Sequence, residues 1–238
     1  MGLVSELAGS HPPQAAGLPR GRGRIPREDV ASEQRVRIIR AAVAAIADVG
    51  YHESTIADIV RRARVSREAF YRNFSGKLEC FEAAIEMGQS IVLPRIAAAA
   101  DSVRDGGLET VLRAIVVEYL SISASEPEFS IAWAVELATA GKGTSALRDR
   151  YLDLLAELIR EAHITHEAPA TEASEPRPLE YYVALVGGCN ELICRRIRAG
   201  STDDLPDLEE PLVSFLAQGL RGVHARPPRG HCHVNRNV

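Results

Sequence analysis

The stretch from Thr55 to Lys77, TIADIVRRARVSREAFYRNFSGK, limits the fold of this 238-residue chain more than any other part of it. Thr55, followed three residues later by Asp58, forms a capping-box pattern at the start of a helix. Ser66 is a favourable N-cap for a second helix, from Arg67 to about Asn73. The spacing therefore predicts two short helices joined by a three-residue turn, which is the layout of a helix-turn-helix. The apolar face of the first helix would consist of Ile56, Ile59, Val60 and Ala63.

Basic residues fill the positions between the apolar ones of this hairpin. In a helix-turn-helix the second helix enters the major groove of DNA, and cationic or hydrogen-bonding side chains around it bind phosphate oxygens. The alternative is a solvated basic face on an ordinary helical hairpin, but capping, turn length and charge agree on DNA. The basic residues are Arg61, Arg62, Arg64, Arg67, Arg72 and Lys77.

From about Gln34 to Ala84 the sequence resembles the TetR family of transcriptional regulators. The resemblance rests on RVRIIRAAVAAIADVGY, on the hairpin and on FYRNFSGKLECFEAAI. Its most specific part is the Phe70-Tyr71 pair followed by Phe74 and Lys77. One departure is Arg64, because such proteins usually carry Gly there, which tolerates a positive φ. An Arg in a left-handed turn costs roughly 1 kcal/mol, and a phosphate contact by Arg64 would compensate for that cost.

The resemblance implies roles for individual residues of the hairpin. Thr55 and the free amides beside it are expected to hold a phosphate. Base contacts are expected from Arg67, which suits guanine, from Glu68, which would accept from cytosine or repel phosphates, and from Ala69. Tyr71, Asn73 and Lys77 match positions that bind the DNA backbone, whereas Phe70 and Phe74 are expected in the core. The predicted DNA-binding residues are Thr55, Arg64, Ser66, Arg67, Glu68, Ala69, Tyr71, Arg72, Asn73 and Lys77.

Positive charge is concentrated near the N-terminus. Residues 1–80 hold 13 Lys or Arg against 9 Asp or Glu, a net charge of +4, while the remainder holds 15 against 23, a net charge of −8. A basic head on an acidic body orients the protein towards DNA. The Gly- and Pro-rich segment before the first helix is expected to be a disordered arm that either enters the minor groove or touches only phosphates. Its basic residues are Arg20, Arg22, Arg24 and Arg27.

Composition and chain breaks predict an all-α protein. Aromatic residues make up 5% of the chain, and the abundance of Ala, Leu, Val and Arg favours helices over strands. Gly and Pro breaks divide the chain into about nine helices, including a first from about Ser32 to Val49 and a sixth from about Glu128 to Ala140. The predicted domains are a disordered basic arm (1–30), a three-helix helix-turn-helix DNA-binding head (31–78), a ligand-binding and dimerisation body (79–222) and a disordered tail (223–238).

The resemblance also implies a homodimer formed by the last two helices, about Leu179–Arg198 and Asp207–Leu220. A twofold dimer would present two recognition helices about one DNA turn apart to a near-palindromic operator. The alternative is that these apolar faces close only the core of the monomer. The predicted interface residues are Leu185, Gly187, Gly188, Leu192, Leu212, Phe215, Leu216 and Gly219.

A third implication of the resemblance is an effector pocket among helices 5 to 8 of the body. A mainly apolar cavity with few polar groups suits a small apolar or aromatic effector, although each of these residues is individually more common as plain core. Glu136, on an otherwise apolar helix, would pair with a cationic ligand. The candidate pocket residues are Tyr119, Phe129, Trp133, Glu136, Tyr151, His163 and Asn190.

Other functional classes find little support in the sequence. There is no Gly-rich phosphate loop, G-x-S-x-G or H-E-x-x-H, so neither an enzyme nor a cofactor is predicted. His231-Cys232-His233 in the tail cannot complete a tetrahedral metal site alone, and no metal site is predicted. The four cysteines form no C-x-x-C pair and are expected to be reduced and mostly buried.

The chain is expected to be cytoplasmic, because it has no signal-peptide core and no apolar run long enough to span a membrane. The function that these features predict is a ligand-responsive, homodimeric transcriptional repressor. The alternative is a DNA-binding regulator without small-molecule input, whose body serves only dimerisation or protein partners.

Overall fold

The computed structural model describes residues 7–9, 27–137, 140–166 and 177–221, apart from the side chains of residues 27–31 and 142. Within these ranges it contains nine α-helices and no strands, which confirms the predicted all-α class. The helices are α1 (Arg27–Val49), α2 (Ile56–Ala63), α3 (Arg67–Asn73), α4 (Lys77–Ser102), α5 (Leu108–Ser125), α6 (Pro127–Ile131), α7 (Lys142–His166), α8 (Leu179–Arg198) and α9 (Glu209–Leu220).

Helices α1 to α3 form the head, in which α2 and α3 are the predicted hairpin. The Phe70 and Phe74 side chains are 0% and 2% exposed, as expected for core residues, and Ile59 and Ala63 bury the apolar face of α2 against α1. This shared core fixes the angle at which α3 leaves the head, so the outer face of α3 is presented on a rigid support.

Helix α4 joins the head to the body. It spans 26 residues, which corresponds to about 39 Å at 1.5 Å per residue. It packs against α1 near the head and against α5 and α7 in the body. The body is completed by α5 packed on α9 and by α7 packed on α8. A displacement of any body helix that contacts α4 therefore acts on the helix that carries the head.

The sixth helix differs from the predicted Glu128–Ala140. Helix α6 ends at Ile131 and continues as a π-helical turn over Ala132–Glu136, in which the Leu137 N–H donates to the Ala132 carbonyl at 3.0 Å. A π turn places one extra residue in the helical circuit. Periodicity alone did not reveal it, because the apolar residues of this segment suit either geometry.

The prediction that residues 1–30 are disordered is wrong at two places. Leu7 and Ala8 are each 1% exposed. The Gly9 N–H donates to the Arg40 carbonyl at 3.2 Å, and the Leu7 N–H donates to Glu126 Oε2 at 3.3 Å. Helix α1 begins at Arg27 rather than near Ser32. The arm positions Arg20, Arg22 and Arg24, the Arg27 side chain and the tail residues His231-Cys232-His233 lie outside the described part.

The described residues include no helix that could span a membrane and no cluster of metal-binding side chains. None of their helices is both long and apolar enough to cross a bilayer. Nor do the described residues bring three His, Cys, Asp or Glu side chains together in a way that would hold a metal ion. Cys80, Cys189 and Cys194 are buried free thiols, as expected, and Cys232 lies outside the described part.

Candidate nucleic-acid interface and interior cavities

Thr55 forms the predicted capping box with Asp58. The Thr55 N–H donates to Asp58 Oδ2 at 3.1 Å, its hydroxyl donates to the same oxygen at 2.6 Å, and the Asp58 N–H donates to Thr55 Oγ1 at 3.2 Å. These hydrogen bonds from Thr55 hold the pKa of Asp58 below its ordinary value. Because a carboxylate already occupies the amide and hydroxyl of Thr55, the expectation that Thr55 holds a phosphate is corrected: its role is to cap α2.

Arg64 adopts the left-handed conformation that its position in the turn demands. Its φ is 55° and its ψ is 44°, and it is the one non-glycine residue with positive φ among those the structure describes. The next residue, Val65, donates its N–H to the Val60 carbonyl at 3.1 Å, the i→i−5 bond of a Schellman turn. The hairpin thus keeps its usual geometry with an arginine where glycine would be unstrained.

Helix α3 presents one continuous exposed face. Ser66 caps the helix by accepting from the Ala69 N–H at 3.0 Å. Four side chains of α3 are exposed: those of Arg67, Glu68, Tyr71 and Arg72. They form two adjacent pairs four residues apart, so they lie on one side of the helix. Tyr71 is 54% exposed although it is aromatic. A solvent-facing surface of two arginines, a carboxylate and a phenol is suited to phosphate and base-edge contacts.

Ala69, predicted to contact bases, is buried at 3% exposure. It lies beside Phe70 on the inner face of α3, so its methyl group cannot reach a groove. Asn73 is half-buried and returns its side-chain amide to the Ala69 carbonyl at 2.8 Å. Arg35, which the sequence did not single out, donates to the Asn73 carbonyl at 3.0 Å and lies 4.3 Å from the centre of the Phe74 ring. Asn73 and Arg35 therefore stabilise the C-terminal end of α3.

Lys77, expected at the DNA backbone, is directed into the head. Its ammonium donates to the carbonyls of Tyr51, of His52 at 3.4 Å and of Ser54 at 2.7 Å. It also lies 4.3 Å from the centre of the Tyr51 ring. Burial lowers the pKa of Lys77. A lysine has three N–H donors, and three backbone carbonyls receive them. Lys77 thus binds the α1–α2 turn rather than an outer surface.

The body contains two small apolar cavities. The first cavity, about 50 Å³, lies among α5, α7, α8 and α9. The second, about 30 Å³, lies among α4, α5, α6, the π turn, α7 and α8. Tyr119 lines both. Of the predicted pocket residues, Asn190 lines the first cavity, and Phe129, Trp133 and Tyr151 line the second. The Trp133 and Tyr151 rings meet edge to face, with centroids 4.7 Å apart.

Asn190 carries an unsatisfied polar atom at the first cavity. The residue is 6% exposed, and its Oδ1 has no hydrogen-bond partner. Its side chain also hydrogen-bonds to Cys194. The other residues of this cavity are apolar apart from Tyr119 and Cys189. Burial raises the pKa of Tyr119 and that of Tyr151, so both phenols are neutral over the ordinary pH range.

Glu136 and His163 do not line either cavity, and both predictions are corrected. Glu136 Oε2 accepts from the Tyr51 N–H at 2.7 Å, because the π turn directs its carboxylate towards the head. The prediction of a cationic effector depended on a Glu136 carboxylate in the pocket, so it is withdrawn as well. His163 is 3% exposed, with its Nδ1 2.9 Å from the Tyr182 hydroxyl, so it is a satisfied core residue.

The predicted dimer residues divide into two groups. Leu185, Leu212 and Leu216 are 8%, 1% and 3% exposed and face the core of their own protomer, which corrects their assignment to an interface. Gly219 packs beneath Leu185. Leu192 and Phe215 are 42% and 43% exposed. Together with Gly187 and with Gly188, which lies under the Phe215 ring, they form an exposed surface on α8 and α9. We call these four residues the α8–α9 patch.

Residues 38–84 match the family model described as bacterial regulatory proteins, tetR family. The chain is 31% identical over 149 residues to the HTH-type transcriptional regulator SrpR of Pseudomonas putida, a match that covers 58% of this chain and 65% of the relative. It is 36% identical over 90 residues to the uncharacterized HTH-type transcriptional regulator TtgW, also of Pseudomonas putida, covering 38% and 63%. The chain thus spans slightly less than two thirds of each curated relative.

Solved structures of TetR-type regulators share the fold. The fatty acid degradation regulator FadR from Bacillus halodurans superposes with a TM-score of 0.63 at 22% identity, covering 79% of this chain and 98% of that one. A transcriptional regulator FadR from Bacillus subtilis, solved in complex with stearoyl-CoA, gives a TM-score of 0.66 at 19% identity, covering 77% and 97%. Residues 38–84 are thus similar to the N-terminal domain of the tetR family, and the chain as a whole shares the fold of these solved regulators.

Proposed function

We propose that this protein is a sequence-specific DNA-binding transcriptional regulator, and that it acts as a homodimeric repressor released by a small-molecule effector. The observation that carries the DNA-binding part is the exposed face of α3, on which Arg67, Glu68, Tyr71 and Arg72 stand on a rigid, capped helix. Arg67 would contact guanine in the major groove, and Tyr71 and Arg72 would bind phosphates. Arg64, at the tip of the turn, is exposed on the same motif and would bind a further phosphate.

The experiment that tests DNA binding is a gel shift of the purified protein on the intergenic DNA upstream of its own gene, repeated across a salt series. One bidentate base contact contributes roughly 1–3 kcal/mol, which corresponds to about 5- to 150-fold in affinity. The double variant Arg67→Ala/Tyr71→Phe is expected to lose affinity for the operator by at least this amount. Arg104→Ala is the matched control, because Arg104 is an exposed arginine of the body. Equal binding by all three proteins would refute a role for α3.

The homodimer is supported by the α8–α9 patch. Leu192 and Phe215 leave large apolar side chains in solvent, and Gly187, which has open space around it, allows close approach of another helix. We expect Phe215→Glu to shift the sedimenting species from dimer to monomer. Val117→Glu is the control, since Val117 is 41% exposed on α5, outside the patch. A dimer that withstands Phe215→Glu would place the interface elsewhere.

The effector response is supported by the two cavities and by the shared fold of the regulator solved with stearoyl-CoA. The lining is mainly apolar, with neutral phenols. At the second cavity the polar side chains already have partners: Gln89 donates to the Leu147 carbonyl, Ser130 donates to the Ser123 carbonyl, and Glu126 accepts from the Leu7 N–H. The part of an effector buried here would therefore be uncharged and apolar, as a hydrocarbon chain or an aromatic ring is. Both cavities are smaller than the roughly 300 Å³ of ordinary ligand pockets, so an effector must separate their walls.

The small size of these cavities also favours a second candidate, a DNA-binding regulator without small-molecule input. Thermal unfolding in the presence of stearoyl-CoA, indole and 1-decanol separates the two functions. A concentration-dependent rise in Tm with at least one compound, together with weaker operator binding, supports the effector response. Constant Tm and constant operator affinity with all three would favour the second candidate.

A further inference from the structure

The segment from Glu126 to Glu136, which comprises α6 and the π turn, has a carboxylate at each end that binds the backbone of the N-terminal part of the chain. Glu136 Oε2 accepts from the Tyr51 N–H at 2.7 Å. Glu126 Oε2 accepts from the Leu7 N–H at 3.3 Å. We call the residues from Glu126 to Glu136 the bridge segment. Both of its ends are thus attached to backbone that packs on α1 of the head.

The inner side of the bridge segment lines the second cavity. Phe129 is packed so closely on α4 that a Cβ added to Gly88 would lie 2.0 Å from its ring. Trp133 lies edge to face on Tyr151. One short segment therefore has aromatic side chains at the cavity and carboxylates at the head. In a regular α-helix, residues three apart share a face, but the π turn lets Trp133 and Glu136 face different neighbours.

Tyr51 is held on both sides of its peptide backbone. Its N–H is bound by Glu136 of the body, and its carbonyl is bound by Lys77 at the start of α4. It follows Gly50, whose φ of 86° ends α1. The backbone of Tyr51 is thus the point where the body, α1 and α4 are joined by hydrogen bonds.

The second cavity is too small to be occupied without movement. A volume of about 30 Å³ accommodates roughly two or three water-sized spheres. Its walls are close-packed, and packed interiors pass displacements on rather than absorb them. An occupant must displace part of this lining, and the Phe129 and Trp133 side chains, which lie on the bridge segment, are the largest that the segment contributes to it.

We infer that Glu136 is the positioning residue through which the state of the second cavity is transmitted to the DNA-binding head, by way of its hydrogen bond to the Tyr51 N–H. The inference rests on the proposed function for its biological meaning. Filling the cavity displaces the bridge segment, lengthens the Glu136–Tyr51 bond and frees the α1–α2 turn. The head then changes its orientation relative to the body, and operator affinity falls by the difference in DNA affinity between the two states.

Hydrogen exchange of the Tyr51 amide tests this without DNA and without an effector, because substitutions take the place of the occupant. Gly88→Ala drives a methyl group into the Phe129 ring, and Val92→Leu is a milder wedge that adds one methylene group to the wall of the second cavity. Val116→Leu makes the same chemical change at the first cavity, which includes no residue of the bridge segment. Glu136→Ala removes the bond directly, and Glu136→Gln keeps an acceptor oxygen.

We expect Glu136→Ala to accelerate exchange of the Tyr51 amide at least 10-fold. Gly88→Ala and Val92→Leu, the two substitutions that fill the second cavity, should accelerate it several-fold. Glu136→Gln and Val116→Leu should leave it within 2-fold of wild type. The Phe70 amide, which donates to the Ser66 carbonyl, reports general unfolding of the head and should not change. In the double variant Glu136→Ala/Val92→Leu, the wedge should add nothing to the effect of Glu136→Ala, because both act through one bond.

Unchanged Tyr51 exchange in both wedge variants, or equal acceleration by Val116→Leu, would overturn the inference. Should Gly88→Ala not fold, Val92→Leu and its Val116→Leu control decide the question alone. A wild-type protein that binds no operator would refute the proposed function while the exchange results stand. Where the operator is bound, Glu136→Ala should change its affinity at least 5-fold with an unaltered salt slope, since Glu136 contacts no phosphate.

Discussion

The Lys77 ammonium lies 4.3 Å from the centre of the Tyr51 ring and donates to the Tyr51 carbonyl. Replacing Lys77 by Met removes charge-assisted bonds to three carbonyls, and bonds to charged groups contribute about 1.5–3 kcal/mol each. The three bonds do not add in full, because Lys77 is only half-buried and its contact with the His52 carbonyl is long. We therefore expect Lys77→Met to lower the free energy of unfolding by about 2–4 kcal/mol in urea titrations. Lys77→Arg should not restore it, because a planar guanidinium cannot reproduce the three directions of an ammonium.

The salt dependence of operator binding distinguishes this role of Lys77 from a phosphate contact. A phosphate-binding lysine contributes close to one unit to the slope of log affinity against log salt. We expect the folded fraction of Lys77→Met to retain the wild-type slope. If the slope fell by about one while the free energy of unfolding stayed unchanged, Lys77 would bind a DNA phosphate instead.

Arg64 is strained by its left-handed backbone, and Arg64→Gly should relieve the strain. The gain is about 1–2 kcal/mol, offset by the roughly 0.4–1 kcal/mol by which glycine stabilises the unfolded chain. We expect a net rise in unfolding free energy of up to about 1.5 kcal/mol. Arg61→Gly, in the last turn of α2, is the control and should lower it by about 1 kcal/mol. A destabilised Arg64→Gly variant would mean that the side chain contributes more than its backbone costs.

Asn190 and Gln89 are buried amides at the first and second cavities, respectively, and they should respond oppositely to the same change. Asn190→Leu removes an acceptor without a partner, which costs about 1–3 kcal/mol in a buried site. It also removes the bond to Cys194, but a thiol bonds weakly, so the substitution should stabilise the protein. Gln89→Leu removes the donor to the Leu147 carbonyl at 3.2 Å and should destabilise it by about 1–3 kcal/mol. Calorimetric Tm values of the two variants and wild type provide the comparison.

A natural residue whose replacement stabilises the fold is typical of a functional site. We therefore expect Asn190→Leu also to weaken the response to any compound that raises the wild-type Tm. If both leucine variants lost stability, the hydrogen bond of Asn190 to Cys194 would outweigh the cost of its unsatisfied oxygen, and its place in an effector site would lose support.

Alkaline pH should weaken the fold through buried thiols. Burial raises the pKa of Cys80 and of Cys189 to about 12, from an ordinary value of 9.0. Above pH 9 the unfolded chain releases protons that the folded chain retains, so this stabilisation is complete below pH 9 and decreases as pH rises towards 12. Each thiol contributes a slope of up to about 1.4 kcal/mol per pH unit.

The measurement is the urea-unfolding free energy between pH 8.5 and 10 in the presence of a reductant, before most tyrosines ionise. Cys80→Ala should show a shallower decrease than wild type over this interval, whatever its absolute stability. Parallel curves for the two proteins would mean that Cys80 ionises as easily in the folded state as in the unfolded state.

Where local signals decide the structure, sequence reasoning reached residue accuracy. Helix α3 and helix α8 have the predicted bounds, because Ser66 caps one and Pro178 and Gly200 flank the other. The left-handed turn at Arg64 was anticipated from the family resemblance, because Gly usually stands at this position. Periodicity also placed Phe70 and Phe74 in the core.

The sequence did not predict the positions of residues that depend on contacts between distant parts of the chain. Leu7 and Ala8 are two apolar residues in a segment without helical periodicity, and only their contacts with α1 and Glu126 give them a position. Glu136 was recognised as unusual, but its direction depends on the π turn and on Tyr51, 85 residues away. Ala69 and Lys77 were assigned from position along the motif, whereas rotation of α3 and the carbonyls of the α1–α2 turn decide where they point.

The π turn makes the spacing of the bridge segment sensitive to the number of residues in it. Each residue advances an α-helix by about 100°, and a π turn carries one residue more than the helix needs. A single-codon deletion within Ala132–Glu136 would convert the turn to ordinary helix and change the directions of the side chains within it, taking the carboxylate away from Tyr51. Among related genes, insertions and deletions at this point would therefore separate regulators that keep such a contact from those that lose it, even where every other residue is shared.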